Sequence, residues 1–216
     1  MSENQLFYIF GGILTTLHYT LITMFFGFFI ALLICFMRNT PFKILKLIAI
    51  VYVSVIRGTP VVLQLSIWYF VFPQVTGWKI SAFTAGAVTF SINSSAYLAE
   101  IIRAGINAID KGQIEAAKAI GLTKKDTFFD IILPQAVSNI SPAIVNEIIS
   151  LTKETAVIGF IGIADLTRRA QLVSSETYDF FGPMLAAGIG YYCLTLGISG
   201  IYAFMTRTKK VKEKEF

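Results

Sequence analysis

Asp110-Lys-Gly-Gln-Ile-Glu-Ala-Ala-Lys-Ala-Ile-Gly-Leu-Thr-Lys-Lys-Asp-Thr-Phe-Phe-Asp-Ile-Ile-Leu-Pro134 is the longest polar interruption in a mostly apolar chain. It reads as helix, glycine turn, helix. Gln113 to Ile120 consists of good helix formers. Gly121 stands where a left-handed residue ends a helix at least cost. Thr123 offers an N-cap to a second helix, and Asp126, three residues on, can complete a capping box. Pro134 falls too deep for that helix to run on undisturbed, so a break or kink is expected near Leu133.

Outside this stretch the composition is that of a membrane protein. The 216 residues are 55% hydrophobic and 14% charged, with a mean hydropathy of +0.69. A water-soluble domain carries about 25% charged residues. The length suits one domain. A net charge of +5 does not point to nucleic acid, because the basic residues lie between long apolar runs. Cys35 and Cys193 sit far apart inside apolar segments and suggest two buried thiols, with neither zinc spacing nor a disulfide framework. Met1-Ser-Glu-Asn-Gln5 has no basic n-region and no small-residue cleavage site nearby, so the first apolar run is expected to be a retained span.

Five spans are expected, since about 20 apolar residues cross a bilayer. Ile9 to Met37 has no charged residue and carries the one histidine, His18, as a polar packing contact. The second run, Leu47 to Phe72, is interrupted at Arg57-Gly58-Thr59-Pro60. Arg57 lies about 15 Å in at 1.5 Å per residue, near the middle of a core about 30 Å thick. An arginine there must face a cavity or a partner, either a watery path or a carboxylate. Trp68, Tyr69 and Trp78 resemble an interfacial belt. The third span, from Ile80 or Ser81 to about Ile102, has a polar middle, Ser91-Ile-Asn-Ser-Ser95. Small Ala82 and Gly86 would admit a close neighbour, and Glu100 can pair with Arg103 on one helix face. The fourth, Ile131 to Leu151, carries Asn139, Pro142, Asn146 and Glu147; the two asparagines share a face that cannot look at lipid. Thr155 to Ala164 is too short to span and reads as a re-entrant or half-buried helix. Asp165 to Asp179 stays outside the hydrocarbon, and Phe180 to Met205 is the fifth span.

The basic residues orient these spans. With the N-terminus outside and the C-terminus cytoplasmic, 13 of the 18 lysines and arginines fall on the cytoplasmic side, where such residues accumulate. A sixth span would put the basic tail outside. The opening stretch therefore lies in the cytoplasm.

Glu115-Ala116-Ala117, then Gly121, then Ile131, Leu133 and Pro134 resemble the EAA loop of ABC-importer permeases. Arg57-Gly-Thr-Pro60 and Tyr97-Leu-Ala-Glu-Ile-Ile-Arg-Ala-Gly-Ile106 are similar to motifs of the polar amino acid subfamily. The resemblance runs from about Gly11 to Arg207 and implies an all-α integral membrane chain with the type I ABC importer permease fold. It forms a single permease domain, residues 1–216, with the coupling loop at 110–134. It also implies that Glu115, Ala116, Ala117 and Gly121 contact an ABC ATPase subunit dimer. A second permease subunit, identical or paralogous, completes the path, and an extracytoplasmic binding protein delivers the amino acid at a bacterial cell membrane.

The chain's own motifs agree with a non-enzymatic role. No phosphate-binding Gly-x-x-x-x-Gly-Lys-Ser/Thr occurs, so ATP and magnesium belong to a partner and this chain is expected to bind no cofactor or metal. Ser150-Leu-Thr-Lys153 lacks the companion motifs of serine enzymes. What remains is a polar path with Thr59, Gln64, Asn93, Ser94, Asn139, Asn146, Glu147, Glu154 and Asp165 as candidates. A buried carboxylate calls for a cation, and a substrate ammonium or basic side chain supplies one. Glu154 is the first choice and Asp165 the second; equally, Glu147, Glu154 and Asp165 could pair with Arg57, Lys153, Arg168 and Arg169. The acidic path leans toward arginine, lysine or histidine, with glutamine or another polar amino acid as the alternative. A channel or secondary transporter working without ATP is the alternative of a different class.

Overall fold

The computed structural model describes residues 1–212, with side-chain surroundings as far as Arg207; Lys214 of the basic tail lies outside the described residues. Every regular element among them is helical. In order these are α1 (Glu3–Phe10), α2 (Gly12–Asn39), α3 (Lys43–Gly58), α4 (Val61–Ser66), α5 (Phe72–Thr76), α6 (Ala82–Asn107), α7 (Lys111–Ala119), α8 (Lys124–Asp126), α9 (Leu133–Glu154), α10 (Leu166–Thr177) and α11 (Phe181–Lys212). Glu3–Asn39, Lys124–Ile161 and Phe181–Arg207 are long and apolar enough to cross a membrane, and the bent pair α3 with Val61–Thr76 would make a fourth. α6 has the length, 26 residues or about 39 Å, but not the apolarity. Its Ser91, Asn93, Ser94 and Ser95 are all buried in protein, so its polarity is hidden from lipid.

The helix ends follow local chemistry. α1 starts earlier than the apolar run, at Glu3, because Ser2 and Gln5 close a capping box; Ser2-Glu-Asn-Gln5 was a readable signal. The α3 break falls where expected, because Thr59 is extended (φ −120°, ψ 143°) and Pro60 follows it. Near Leu133, where a break or kink is expected, the helix is disturbed without being broken. Thr127–Ile132 widens into a π turn instead, and Leu133 N–H reaches back five residues to the Phe128 carbonyl. The wider turn makes room for the Pro134 ring and skips its missing donor. Pro73 is preceded by the same device, Ile67–Val71, with Phe72 N–H on the Ile67 carbonyl. The segment after α9 is a 3₁₀ helix, Thr155–Ile161, with Thr155, Ile158 and Ile161 buried and left-handed Gly162 ending it.

Contacts divide the chain into two compact units, Met1–Met24 with Pro60–Phe90 and Ile148–Phe216, and Phe25–Thr59 with Ser91–Glu147. The first packs large side chains. Ile9, Leu166, Ala170 and Val173 form one cluster, Tyr19, Phe90, Leu151 and Ile158 a second, and Leu65, Ala85 and Ile161 a third. Trp68 and Tyr69 pack against the third cluster, so of the expected aromatic belt only Trp78 is fully presented, at 74% exposure. Small residues set the close approaches. A Cβ on Gly86 would lie 2.9 Å from the Tyr19 ring, and one on Gly12 would lie 2.6 Å from the Leu166 backbone. His18 meets the Phe83 ring edge-on at 5.9 Å.

The second unit mixes small residues with large ones such as Ile34, Val53, Leu98 and Ile102. Ala31, Ala49, Ala96, Ala99 and Ala136 are buried there, and a Cβ on Gly105 would lie 1.9 Å from Ile140 Cγ2. Burying apolar surface gives little drive between helices when lipid is equally apolar, so close packing and interhelical hydrogen bonds must hold them. The thiols are not both buried: Cys35 is half-buried and Cys193 is exposed, because an apolar run does not distinguish a helix's inner face from its outer one.

Gly12→Ala is expected to destabilise the chain by about 1–3 kcal/mol, since backbone cannot yield to the added methyl. Gly188→Ala, where a Cβ meets nothing within 4 Å, should not. Thermal unfolding of the two variants in detergent makes the comparison.

Candidate functional site

The Asp110–Pro134 stretch folds as two short helices joined by a rigid turn. Asp110 caps α7, its carboxylate accepting from Gly112 N–H at 2.8 Å. That cap went unread in the sequence, although an aspartate just before a helical run is the usual sign. The turn after α7 closes with Leu122 N–H on the Ala117 carbonyl at 3.0 Å and Gly121 N–H on the Lys118 carbonyl at 3.1 Å. Gly121 is left-handed as expected, at φ +83°. Thr123 caps α8, accepting from Asp126 N–H at 3.2 Å. The Asp126 carboxylate takes the Thr123 hydroxyl at 2.6 Å rather than its backbone N–H, so the capping box is only half the expected one.

This loop has an inner and an outer face. Ala117 is buried, while Glu115 and Ala116 are exposed and Ile120 is 76% exposed. Gln135 donates to Gln113 at 2.9 Å and to the Ile131 carbonyl at 3.0 Å, tying α7 to the start of α9. The loop is thus tied to α9, with an outward face that carries Glu115, Ala116 and Ile120 among exposed lysines, Lys111, Lys118, Lys124 and Lys125.

A second polar cluster lies along α6. Ser94, fully buried, donates to Glu147 of α9 at 3.1 Å. Tyr52 of α3 shares a hydrogen bond with Ser95 at 2.7 Å and donates to the Ile92 carbonyl at 3.1 Å. Tyr97, three residues on from Ser94 and so its neighbour on the helix surface, carries the Arg57 guanidinium over its ring at 5.1 Å. A cation over a ring is worth about 0.5–2 kcal/mol, against about 2.5–3.5 kcal/mol for an arginine at mid-helix in a bilayer. The ring offsets part of that cost. Further along α6, Glu100 pairs with Arg103 at 2.8 Å as expected, and also with Arg38 of α2, a partner the sequence did not suggest. Cys35 approaches the Ala99 carbonyl at 3.6 Å.

The remaining candidates are dispersed. Asn93 and Gln64 are buried. The Thr59 hydroxyl donates to the Val55 carbonyl at 2.9 Å. Asn139 reaches the Gly105 carbonyl at 3.4 Å. Asn139, Asn146 and Glu154 are exposed and Glu147 half-buried. Lys124–Ile161, which carries the last four, has only 6% of its most apolar window buried, against 28% for Glu3–Asn39.

Asp165 is fully buried and caps α10, accepting from Arg168 N–H at 2.8 Å, Thr167 N–H at 3.3 Å and the Tyr191 hydroxyl at 2.9 Å. Burial pushes its carboxyl above the usual aspartate range, and these bonds pull it back. The Arg168 and Arg169 side chains go elsewhere: Arg168 to Gln171, Arg169 to the Ala164 and Tyr8 carbonyls and over the Tyr8 ring at 5.0 Å. Tyr191 could not have been paired with Asp165 from sequence, being 26 residues away on another helix.

Residues 23–211 match the family described as binding-protein-dependent transport system inner membrane component. The chain is 51% identical over 197 residues to a Rickettsia conorii protein provisionally named as a glutamine transport system permease protein, covering 91% of this chain and 90% of that one. It is 45% identical to the arginine transport system permease protein of Bacillus subtilis, over 95% and 94% of the two chains. The crystal structure of an amino acid ABC transporter with histidines aligns at a TM-score of 0.88 and 42% identity, covering 93% of this chain and 94% of that one. An inward-facing methionine ABC transporter, 22% identical over 96% of this chain and 99% of that one, shares the fold at a TM-score of 0.79.

Asp165→Ala should cost about 1–3 kcal/mol, from a lost cap and the loss of the carboxylate that accepts from the Tyr191 hydroxyl, which keeps its bond from Thr167. The thermal midpoint of the purified chain is the measurement, and Tyr191→Phe should show part of the same loss.

Proposed function

The chain belongs to the binding-protein-dependent transport system inner membrane components, as a non-enzymatic permease subunit of an ABC amino acid importer, and on that premise we propose that its α9 lines the substrate path. The observation that carries this is the pairing of polarity with exposure. α9 holds Asn139 and Asn146 exposed and Glu147 half-buried on a spanning segment of which the chain itself buries little completely. Polar groups cannot face hydrocarbon. Their cover is a watery path, a second permease subunit, or both.

Energy enters at the loop. Glu115, Ala116, Ala117 and Gly121 form the coupling contact with an ABC ATPase. Exposed Glu115 and Ala116 meet it, buried Ala117 seats α7, and Gly121 sets the angle between the short helices. Because α7 is tied to the start of α9 by Gln113 and Gln135, a push on the loop moves the helix that lines the path. The membrane orientation, N-terminus outside and loop inside, follows from the distribution of basic residues.

The substrate is a polar L-amino acid. Glu147 is the carboxylate best placed for its ammonium, since Ser94 orients it on α6. Glu154, exposed at the end of α9, is the carboxylate for a basic side chain, and Asn93 and Asn139 add neutral contacts. Asp165 serves the fold as a cap. The acidic path favours arginine, lysine or histidine. Glutamine is the second reading, supported by the Rickettsia relative's name.

Glu115→Arg should leave the chain folded and membrane-inserted but lower amino-acid-dependent ATP hydrolysis by the assembled importer at least about tenfold, as for a lost charged contact. Normal co-purification with the ATPase and normal uptake would sink the coupling assignment. Glu154→Gln should weaken arginine binding about tenfold and leave glutamine unchanged; equal loss of both would move Glu154 out of the side-chain subsite.

A further inference from the structure

The geometry points to Arg57 as the group that reads the substrate's α-carboxylate, opposite Glu147. This rests on the amino acid transport reading above and extends it to a residue outside the expected substrate set. Arg57 sits in the last turn of α3, where a cation is favoured by the helix dipole. The helix cannot carry it further, because extended Thr59 and Pro60 follow. Its side chain is exposed, and beyond Gly58's own chain neighbours and local helix backbone nothing lies within 4 Å of the position a Cβ on Gly58 would take. A ligand can therefore approach it.

The ring of Tyr97 holds the guanidinium by its face at 5.1 Å. A cation–π contact uses none of the guanidinium's N–H donors, and a guanidinium can grip a carboxylate at two points. The ring compensates only part of the cost of an arginine in a span, and an anion arriving with the substrate supplies the rest. On the neighbouring position of α6, Ser94 brings in Glu147. One face of one helix thus organises a fixed cation and a fixed anion. A free α-amino acid carries both complements on one carbon, whereas an amine lacks one and a peptide separates them. The pair would select for the zwitterion, and the rest of the path for the side chain.

The test uses the assembled importer with its ATPase, wild type and Arg57→Gln, in equilibrium binding. L-Arginine is compared with agmatine, and L-glutamine with 4-aminobutanamide; each second compound lacks only the α-carboxylate. Wild type should prefer each amino acid over its decarboxylated analogue by about 10- to 100-fold, the range for a charge-assisted hydrogen bond. Arg57→Gln should lower amino acid affinity by that factor and leave the analogues within about threefold, so that discrimination disappears. Equal loss of acid and analogue would mean that Arg57 only supports the packing of Tyr97, and overturns the proposal, as does unchanged discrimination. If Arg57→Gln does not assemble, Arg57→Lys carries the comparison: it keeps the charge and loses the two-point grip, and wild-type discrimination in it overturns the proposal. A wild-type importer that binds no amino acid fails the transport reading itself, a result distinct from these.

Discussion

The polar middle of α6 is the constraint on which much of the structure depends. A spanning-length helix with Ser91, Asn93, Ser94 and Ser95 at its centre cannot face lipid, so other helices must cover it. In the second unit each neighbour does so by a specific device. α2 comes close at Gly27, where a Cβ would lie 3.2 Å from the Ser91 carbonyl. α3 brings the Tyr52 hydroxyl to Ser95, and α9 brings Glu147 to Ser94. Each such bond is worth only about 0.6 kcal/mol on average between membrane helices. Together they decide which faces meet, which the hydrophobic effect cannot do inside a bilayer.

The same constraint separates fold from function along α9. Polar groups that the chain satisfies internally, such as Ser94 and Asp165, build the fold. Polar groups left exposed on a spanning helix, such as Asn146, call for cover from outside the helix's own packing. The Asp110–Pro134 loop follows the same logic: its caps and its Gln113–Gln135 bond are satisfied within, while Glu115 and Ile120 are exposed.

Much of this was legible in the sequence. The left-handed Gly121 and the Thr123 cap were readable because a turn is decided by residues within a few positions of it. The α3 break at Gly58-Thr-Pro was readable for the same reason. Pro134 was readable in part in the same local terms: proline predicts a break or kink in a helix, but not that the chain absorbs it in a π turn. Asp165 carries a comparable lesson. A carboxylate among apolar residues marked a special place, yet its use as a helix cap with a tyrosine partner depends on α11 lying beside it.

The sequence by itself determined an all-helical membrane chain with one long polar loop, because run length and capping residues act along the chain. Only the tertiary structure decided the partners of the polar groups: Arg57 over Tyr97, Arg38 joining Arg103 on Glu100, Glu147 on Ser94, and which thiol is exposed. An apolar run is equally content against lipid or against protein, so it carries no record of its neighbours. Those choices are made by small residues and single hydrogen bonds between helices far apart in sequence, and they exist only once the helices have packed.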